Sequence, residues 1–396
     1  MYDIVIVGGG IAGLSVALKI AKRYPKKRIV ILEKYKVLGG RAATYKKDGL
    51  QYEIGAGRIW GKHKRMNALV KQYGLTTFPI GTKSNFENGP NDFTTLFFPI
   101  SCELQKLPAD ILRAHTIQDL LPSEYAPLML MYPYRAEVDL LRADLALPLF
   151  APDSLMGTQS DDAYYGLKEG YSALIDALVA DVRKAGVEIR TKAEVKDVVR
   201  RSEELFEITG SDSHFETMEA KQVIIATCRC SLTNFSVLKG LPLLTQLQTS
   251  ALCRIYAVFP LSDGLAWFHD IPTTVTAGKL RHVIPIHPKT GLIMISYTDG
   301  NDVEFWKEKE GAELEDAILD AAKELFPDKD IPAPTFLKKH VWGSGCTYWV
   351  PGDYDVEDAQ KAAMNPSPNL YVVGESVAIH QEWMESALET VDLLDL

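Results

Sequence analysis

Three glycines and one glutamate carry the first chemical signal in this chain. Gly8-x-Gly10-x-x-Gly13 follows the apolar run Asp3-Ile-Val-Ile-Val7, and Glu33 closes a second apolar run that begins at Arg28. Between a strand and a helix, the first glycine permits a tight turn and the second lets the main chain approach a pyrophosphate. The third lets helix and strand pack closely. Ile11 and Ala12 open the helix, whose unpaired N–H groups offer partial positive charge to phosphates. Glu33, at a strand end, can accept hydrogen bonds from ribose hydroxyls and repels a 2′-phosphate. The pattern predicts a dinucleotide site that disfavours NADP, and by itself it does not separate FAD from NAD. Cys228 and Cys230 flank one arginine, which is neither the usual metal-ligand nor the usual redox spacing, and no metal site is expected.

After Glu33 the chain runs through Lys34 to Gly39-Gly40-Arg41-Ala42-Ala43-Thr44. Here it resembles the flavin-dependent amine oxidase superfamily, which includes monoamine and polyamine oxidases and phytoene desaturase-like flavoproteins. That group shares an acidic strand end, a short spacer and Gly-Gly-Arg. The resemblance implies FAD as cofactor, with Lys34 and Gly40 beside it and Arg41 along the pyrophosphate, where a cation next to two anionic groups is favourable. Gly49 to Ile59 is similar to the family segment beneath the isoalloxazine ring, making Gly55, Ala56, Gly57 and Arg58 expected flavin contacts. Val195 falls at the adenine-side position. Gly374-Glu375 and Trp383-Met384-Glu385-Ser386-Ala387 resemble the third family signature, although Ser386 stands where the family carries glycine. By that likeness Glu375 accepts a ribityl hydroxyl. The helix start at Met384 faces the flavin pyrimidine, where a positive helix end stabilises negative charge on the reduced ring. The resemblance covers about 1–60, 164–230 and 340–396.

Trp342 to Gly352 resembles the monoamine oxidase segment whose cysteine is joined to the flavin. Cys346 is the matching residue, but the spacing to Pro351-Gly352 is two residues shorter. That spacing favours FAD held without a covalent bond, with covalent attachment as the alternative. In the family two aromatic rings flank the substrate nitrogen. Trp383 matches one, Tyr348 or Trp349 supplies the other, and such an electron-rich cage suits an amine. The family's lysine near flavin N5 has no counterpart: Ser250-Ala-Leu-Cys253-Arg254-Ile-Tyr256 puts Cys253 or Arg254 there. A cavity-facing Arg254 would favour a substrate carboxylate. His380, Glu382 and Arg281 are further polar residues of note, with a satisfied structural role the expected one for each. The expected activity is FAD-dependent oxidation of the C–N bond of an amine or amino acid, by hydride transfer to flavin N5. Oxygen then accepts the electrons and gives hydrogen peroxide. The alternatives are FAD-dependent desaturation of a C–C bond, or an FAD-binding protein without catalysis.

These residues require an α/β fold: a discontinuous Rossmann-type FAD-binding domain with a parallel sheet, plus an α+β substrate-binding domain. Residues 1–75, 164–235 and 340–396 read as the first, 76–163 and 236–339 as the second. Ile11, Leu14, Ala17, Leu18 and Ala21 recur at helical spacing between the two apolar strands. A helix over 171–184, strands over 187–190, 222–226 and 369–374, and a closing helix over 382–394 complete the cofactor half. Strands over 253–259, 282–286 and 292–297 and a helix over 313–325 mark the substrate half.

Bulk composition agrees. With 46% hydrophobic and 24% charged residues the chain is ordinary for a globular protein. A net charge of −9 argues against nucleic-acid binding and against a polybasic membrane patch. No apolar run reaches the roughly 18 residues a membrane span needs, and the N-terminus lacks signal-peptide features. Five scattered cysteines suit a reducing compartment, so a soluble, cytoplasmic enzyme acting on a small molecule is expected.

Overall fold

A computed structural model of the chain describes residues 1–81, 83–87, 92–154, 157–158, 163–212 and 215–395. The strand Tyr2–Val7 leads through the glycine turn into the helix Ile11–Arg23, and the strand Ile29–Glu33 follows. Tyr2–Val7 lies between Phe215–Ile225 and Ile29–Glu33, parallel to both. Glu188–Thr191 and Leu370–Val372 extend this parallel core on its two sides. Every residue of Ile29–Glu33 is buried, as a parallel strand covered on both faces must be. The antiparallel meander 195–202, 205–212 and 215–225 makes one flank, so the sheet is mixed rather than purely parallel.

Three helices, Ile11–Arg23, Tyr171–Lys184 and Met384–Leu393, share one apolar core against this sheet. Gly13 sets how closely the first of them packs. A Cβ there would sit 2.0 Å from the Gly8 carbonyl oxygen, so only glycine fits.

A second sheet runs in the order 336–349, 247–258, 292–299, 282–287, 274–275, 85–86. Alternation along Leu247–Val258 gives its faces different tasks. Cys253, Ile255 and Ala257 pack in a core with Leu314, Ile318 and Ala322 of the helix Gly311–Leu325. Arg254 and Tyr256 turn the other way, toward the cofactor half, where Tyr256 stacks on Tyr52 at 3.9 Å between ring centroids. The strand Phe336–Trp349 pairs with Leu247–Val258 along nearly its whole length. It therefore crosses the expected boundary at 340 and carries Cys346 and Tyr348 on the substrate sheet. Among the described residues, no helix is long and apolar enough to cross a membrane.

Candidate active site

Glu33 ends its strand buried, and its carboxylate accepts from the main-chain N–H of Gly9 (2.8 Å) and Tyr35 (2.9 Å). It is thereby fixed at the lip of the glycine turn. Lys34, next to it, is exposed, with its ammonium over the Tyr35 ring. Gly10 has φ −77°, ordinary for any residue, and a Cβ on it would meet only the Gly39 carbonyl oxygen at 3.9 Å. A Cβ on Gly40 would meet only Gly10 Cα at 3.6 Å, and one on Gly374 only Ala12 Cβ at 3.8 Å. Gly10, Gly40 and Gly374 thus border one open cradle, while Gly8 and Gly13 are filled against protein. Ile11 and Ala12 are buried under the helix start. Val195 opens its strand opposite Gly210 with its side chain in the core, leaving the main chain as its contribution.

Glu375 joins the segments around the cradle. Its buried carboxylate accepts from Arg41 Nη2 (2.7 Å), Thr347 N (2.9 Å) and Glu382 N (3.2 Å). Arg41 also donates to the Gly345 carbonyl at 2.7 Å, and its side chain remains 30% exposed. The expected flavin-side stretch is fastened from both halves. Ala56 N donates to the Arg41 carbonyl, Trp342 Nε1 to the Ile54 carbonyl, and Arg254 Nη1 to the Glu53 and Gly55 carbonyls. Gly57 faces the same guanidinium, which would lie 3.3 Å from a Cβ there. Burial pushes the Glu53 carboxyl up to about 7.

The expected aromatic site assembles in part. Trp383 caps the start of the last helix, immediately before Met384. Its ring stacks with Tyr164 (6.2 Å, 22°), meets the edge of His63 (4.9 Å), and lies under the Arg58 guanidinium at 5.6 Å. Arg58 also covers Tyr164 at 4.8 Å and donates to the Tyr134 hydroxyl at 2.9 Å. Tyr348 donates its hydroxyl to Glu382, whose backbone sits in the left-handed region at φ 76°. Such a conformation costs about 1–3 kcal/mol in a non-glycine residue, and here it turns the carboxyl inward. Glu382 lies close enough to Glu137 to feel its charge, and Glu137 accepts from the Tyr132 hydroxyl.

Several expectations need correction. Trp349 is buried, with its main-chain N–H donating to the Gln381 side-chain oxygen (2.8 Å) and its indole N–H to the Ala378 carbonyl (2.7 Å), and is a packing residue. Cys253 lies in the separate core of the substrate half, because strand alternation gives the facing position to Arg254. Arg254 in turn spends its Nη1 on main-chain carbonyls and lies over the Tyr297 ring at 4.7 Å. It clamps the flavin-side stretch through Nη1, while its buried Nε has no hydrogen-bond partner among the described residues. Arg281 holds the Leu130 and Tyr132 carbonyls, and His380 is exposed.

Sequence reading missed Glu137, Tyr134, Tyr164 and His282. Glu137 lies on the short helix Arg135–Asp139, with Tyr134 immediately before it. Asp299 positions that helix by accepting from Arg135 N and Ala136 N at 2.9 Å each. Both ring nitrogens of His282 are buried without a hydrogen-bond partner. Burial and the Arg58, Arg281 and Arg254 charges push it down to about 3, so the ring is neutral. A cavity of about 480 Å³ elsewhere, lined by Phe86, Leu96, Met131 and Leu280 among others, takes in none of these residues.

Burial raises Glu137 and Glu382 above the ordinary carboxylate range, and the Glu137 charge raises Glu382 further. An acid with a raised folded-state pKa binds more protons folded than unfolded. Its ionisation therefore costs nothing at low pH, and it destabilises increasingly as pH rises from the ordinary carboxylate range toward the raised value. Thermal melts across that window should fall with pH in the native protein. Glu137→Gln should flatten the fall by about 1–3 kcal/mol. An unchanged slope in the variant would show that Glu137 does not carry the raised titration.

Comparison with known proteins follows the same outline. Residues 134–390 match the family model described as flavin containing amine oxidoreductase, and residues 6–73 match the NAD(P)-binding Rossmann-like domain. The flavin-containing amine oxidase A of Bos taurus is 33% identical over 81 residues, 20% of this chain and 15% of that protein. Coproporphyrinogen III oxidase of Staphylococcus aureus is 25% identical over 284 residues, 57% of this chain and 60% of that protein. Each match spans less than two thirds of the relative's length. The cyclohexylamine oxidase of Brevibacterium oxydans superposes with a TM-score of 0.75 over 99% of both chains at 16% identity, a likeness of fold.

Proposed function

The chain belongs to the family of flavin-containing amine oxidoreductases, and on that premise we propose that it binds FAD and oxidises a C–N bond of an amine. Oxygen is the final acceptor and hydrogen peroxide the product. The observation that carries this reading is the inward carboxyl pair Glu137–Glu382 beside the Tyr348 hydroxyl. The rings of Tyr134, Tyr164 and Trp383 gather close by around Arg58.

The residues present fit the cofactor. Gly10, Gly40 and Gly374 leave open the space that a Cβ would begin to fill. Glu33 stands at the ribose end, and Arg41, held by Glu375 and the Gly345 carbonyl, would bring its positive charge to the pyrophosphate. Gly55, Ala56, Gly57, Arg58 and Met384 would border the ring system. Bound there, FAD supplies the hydride acceptor that the protein lacks.

What the chain supplies is recognition and order. A carboxyl pair holding one shared proton presents one negative charge, which draws an ammonium group from water. Its remaining carboxylate oxygen can take a proton as the amine becomes neutral and able to give hydride. Trp383 and Tyr348 restrict how the carbon beside nitrogen is presented, the positioning on which rate depends. Arg254 commits Nη1 to main-chain carbonyls and leaves Nε buried without a partner among the described residues, so amines and amino acids both stand as candidate substrates. In this division of labour 1–75, 164–235 and 340–396 serve the cofactor. Residues 76–163 and 236–339 serve the substrate, with the strand Phe336–Trp349 spanning the seam.

FAD is held without a covalent link. Burial, with the Glu382 and Glu375 charges, pushes the Cys346 thiol well up, away from the thiolate that attachment requires. Acid precipitation should leave the yellow colour in the supernatant; a yellow pellet would show the link. One observation favours a second reading, dehydrogenation of a substrate other than an amine: the alignment with the staphylococcal coproporphyrinogen III oxidase covers 57% of the chain. Peroxide release separates the two. Alkyl and aryl amines should drive it, and a response confined to porphyrinogens or polyenes would replace the amine reading with the second.

A further inference from the structure

We propose that Cys228 and Cys230 are a dithiol that hydrogen peroxide closes to an intrachain disulfide, on the wall of the dinucleotide cradle. The two residues follow the strand Phe215–Ile225, and their Sγ atoms lie 2.7 Å apart, closer than two unbonded sulfurs ordinarily approach. Cys230 is exposed and Cys228 half-buried, so a small oxidant reaches both. The main chain between them is already folded tightly. Ser231 N donates to the Cys228 carbonyl at 3.0 Å, and Arg229 is anchored through Nε to the Leu247 carbonyl at 2.9 Å. Closing the ring therefore orders little that is not ordered already. The turn also touches the cofactor site. The Ala226 carbonyl oxygen lies 2.4 Å from where a Gly8 Cβ would stand, and the Thr227 methyl 3.3 Å.

The two sulfurs differ in a way that assigns them roles. The hydrogen bond from Cys230, helped by Ser231 and the Arg41 charge, holds Cys228 below the usual thiol range, while the same bond and burial raise Cys230. Cys228 Sγ also lies nearer the Ser231 hydroxyl, at 3.6 Å against 4.0 Å for Cys230 Sγ, so Cys228 is assigned as the thiolate and Cys230 as the proton holder. The Cys228 thiolate attacks one peroxide oxygen, the O–O bond breaks, and the departing hydroxide takes a proton to become water. The resulting Cys228 sulfenic acid is attacked by the Cys230 sulfur, and its oxygen leaves as a second water. Two thiols and one peroxide give one disulfide and two waters, with two electrons passing from sulfur to oxygen. Peroxide as a product generated by the protein itself rests on the amine-oxidation reading; the reactivity of the pair does not.

The test uses the full-length protein, reduced and freed of reductant, then given a few equivalents of hydrogen peroxide. Intact mass should fall by about 2 Da, the two thiol hydrogens, and return with dithiothreitol. Trypsin cuts after Arg229, between the cysteines, so the peptide ending at Arg229 and the one beginning at Cys230 should stay joined until reduced. In Cys230→Ser, dimedone should trap a sulfenic acid on Cys228. In Cys228→Ser, oxidation at Cys230 should slow at least about 10-fold, since the better thiolate is gone. Circular dichroism confirms that both variants fold. Absence of the joined peptides would overturn the proposal. So would oxidation of Cys230 in Cys228→Ser at the wild-type rate, or exposed Cys102 reacting as fast as Cys228. Because the peroxide is added, these outcomes stand apart from the success or failure of amine oxidation.

Discussion

Gly10→Leu is expected to give a folded, colourless protein. The backbone there has φ −77° and ψ −178°, which leucine adopts without strain. Nothing of the protein lies closer than 3.9 Å to the new Cβ. The side chain would instead occupy the cradle bordered by Gly40 and Gly374, where the pyrophosphate must approach the main chain. FAD affinity should fall by at least about 100-fold, some 2.7 kcal/mol, with little change in melting temperature of the apoprotein. Gly13→Leu separates ligand loss from fold loss. Its Cβ would lie 2.0 Å from the Gly8 carbonyl oxygen, so that variant should lose stability or fail to accumulate. Titration with FAD and thermal melts check both. A yellow Gly10→Leu protein would mean that the cradle is not the dinucleotide site.

Trp383→Ala carries the second large effect, at the other end of the cofactor. The ring contacts Tyr164, His63 and Arg58 and stands apart from the Glu375–Arg41–Thr347 junction that ties the cradle together. Turnover should fall about 100-fold or more, near 3 kcal/mol of lost positioning, while FAD retention changes by less than about 3-fold. Trp383→Phe, which restores a flat ring, should recover much of the loss. Full turnover in the alanine variant would exclude the ring from the substrate site. Joint loss of turnover and FAD would make it a cofactor contact alone.

The cofactor half was legible in sequence because its elements are local and repetitive. The helix Ile11–Arg23 and the helix Tyr171–Lys184 fall where apolar spacing puts them, since one apolar stripe on each faces the sheet. Ile29–Glu33 announces itself as an unbroken buried run. The long strand Phe336–Trp349 was not read, because Lys338, Lys339 and His340 interrupt its apolar pattern. Pairing with Leu247–Val258, a contact between distant stretches, fixes it instead. Glu137 escaped for a similar reason. Nothing near it in sequence marks it, and it meets Glu382 only because Asp299 and the left-handed backbone at Glu382 bring two remote segments together. Arg254 was expected in the right strand, but its partners, the Glu53 and Gly55 carbonyls, lie nearly two hundred positions away. The Cys228–Cys230 pair was passed over on spacing alone, and the tight turn at Arg229 brings the sulfurs together.

The most direct test is anaerobic mixing of the FAD-loaded protein with single substrates while the visible flavin absorbance is followed. If the protein oxidises C–N bonds, amines should bleach the flavin in one turnover, and admitting oxygen should restore the colour and release one equivalent of peroxide. Carboxylated amines compared with their neutral-chain counterparts test the unpartnered Nε of Arg254: faster bleaching by the carboxylated set gives it a substrate role, and equal rates leave Arg254 a clamp. A flavin that stays yellow with every amine and bleaches with a porphyrinogen or polyene would contradict the amine assignment while leaving the cofactor site intact.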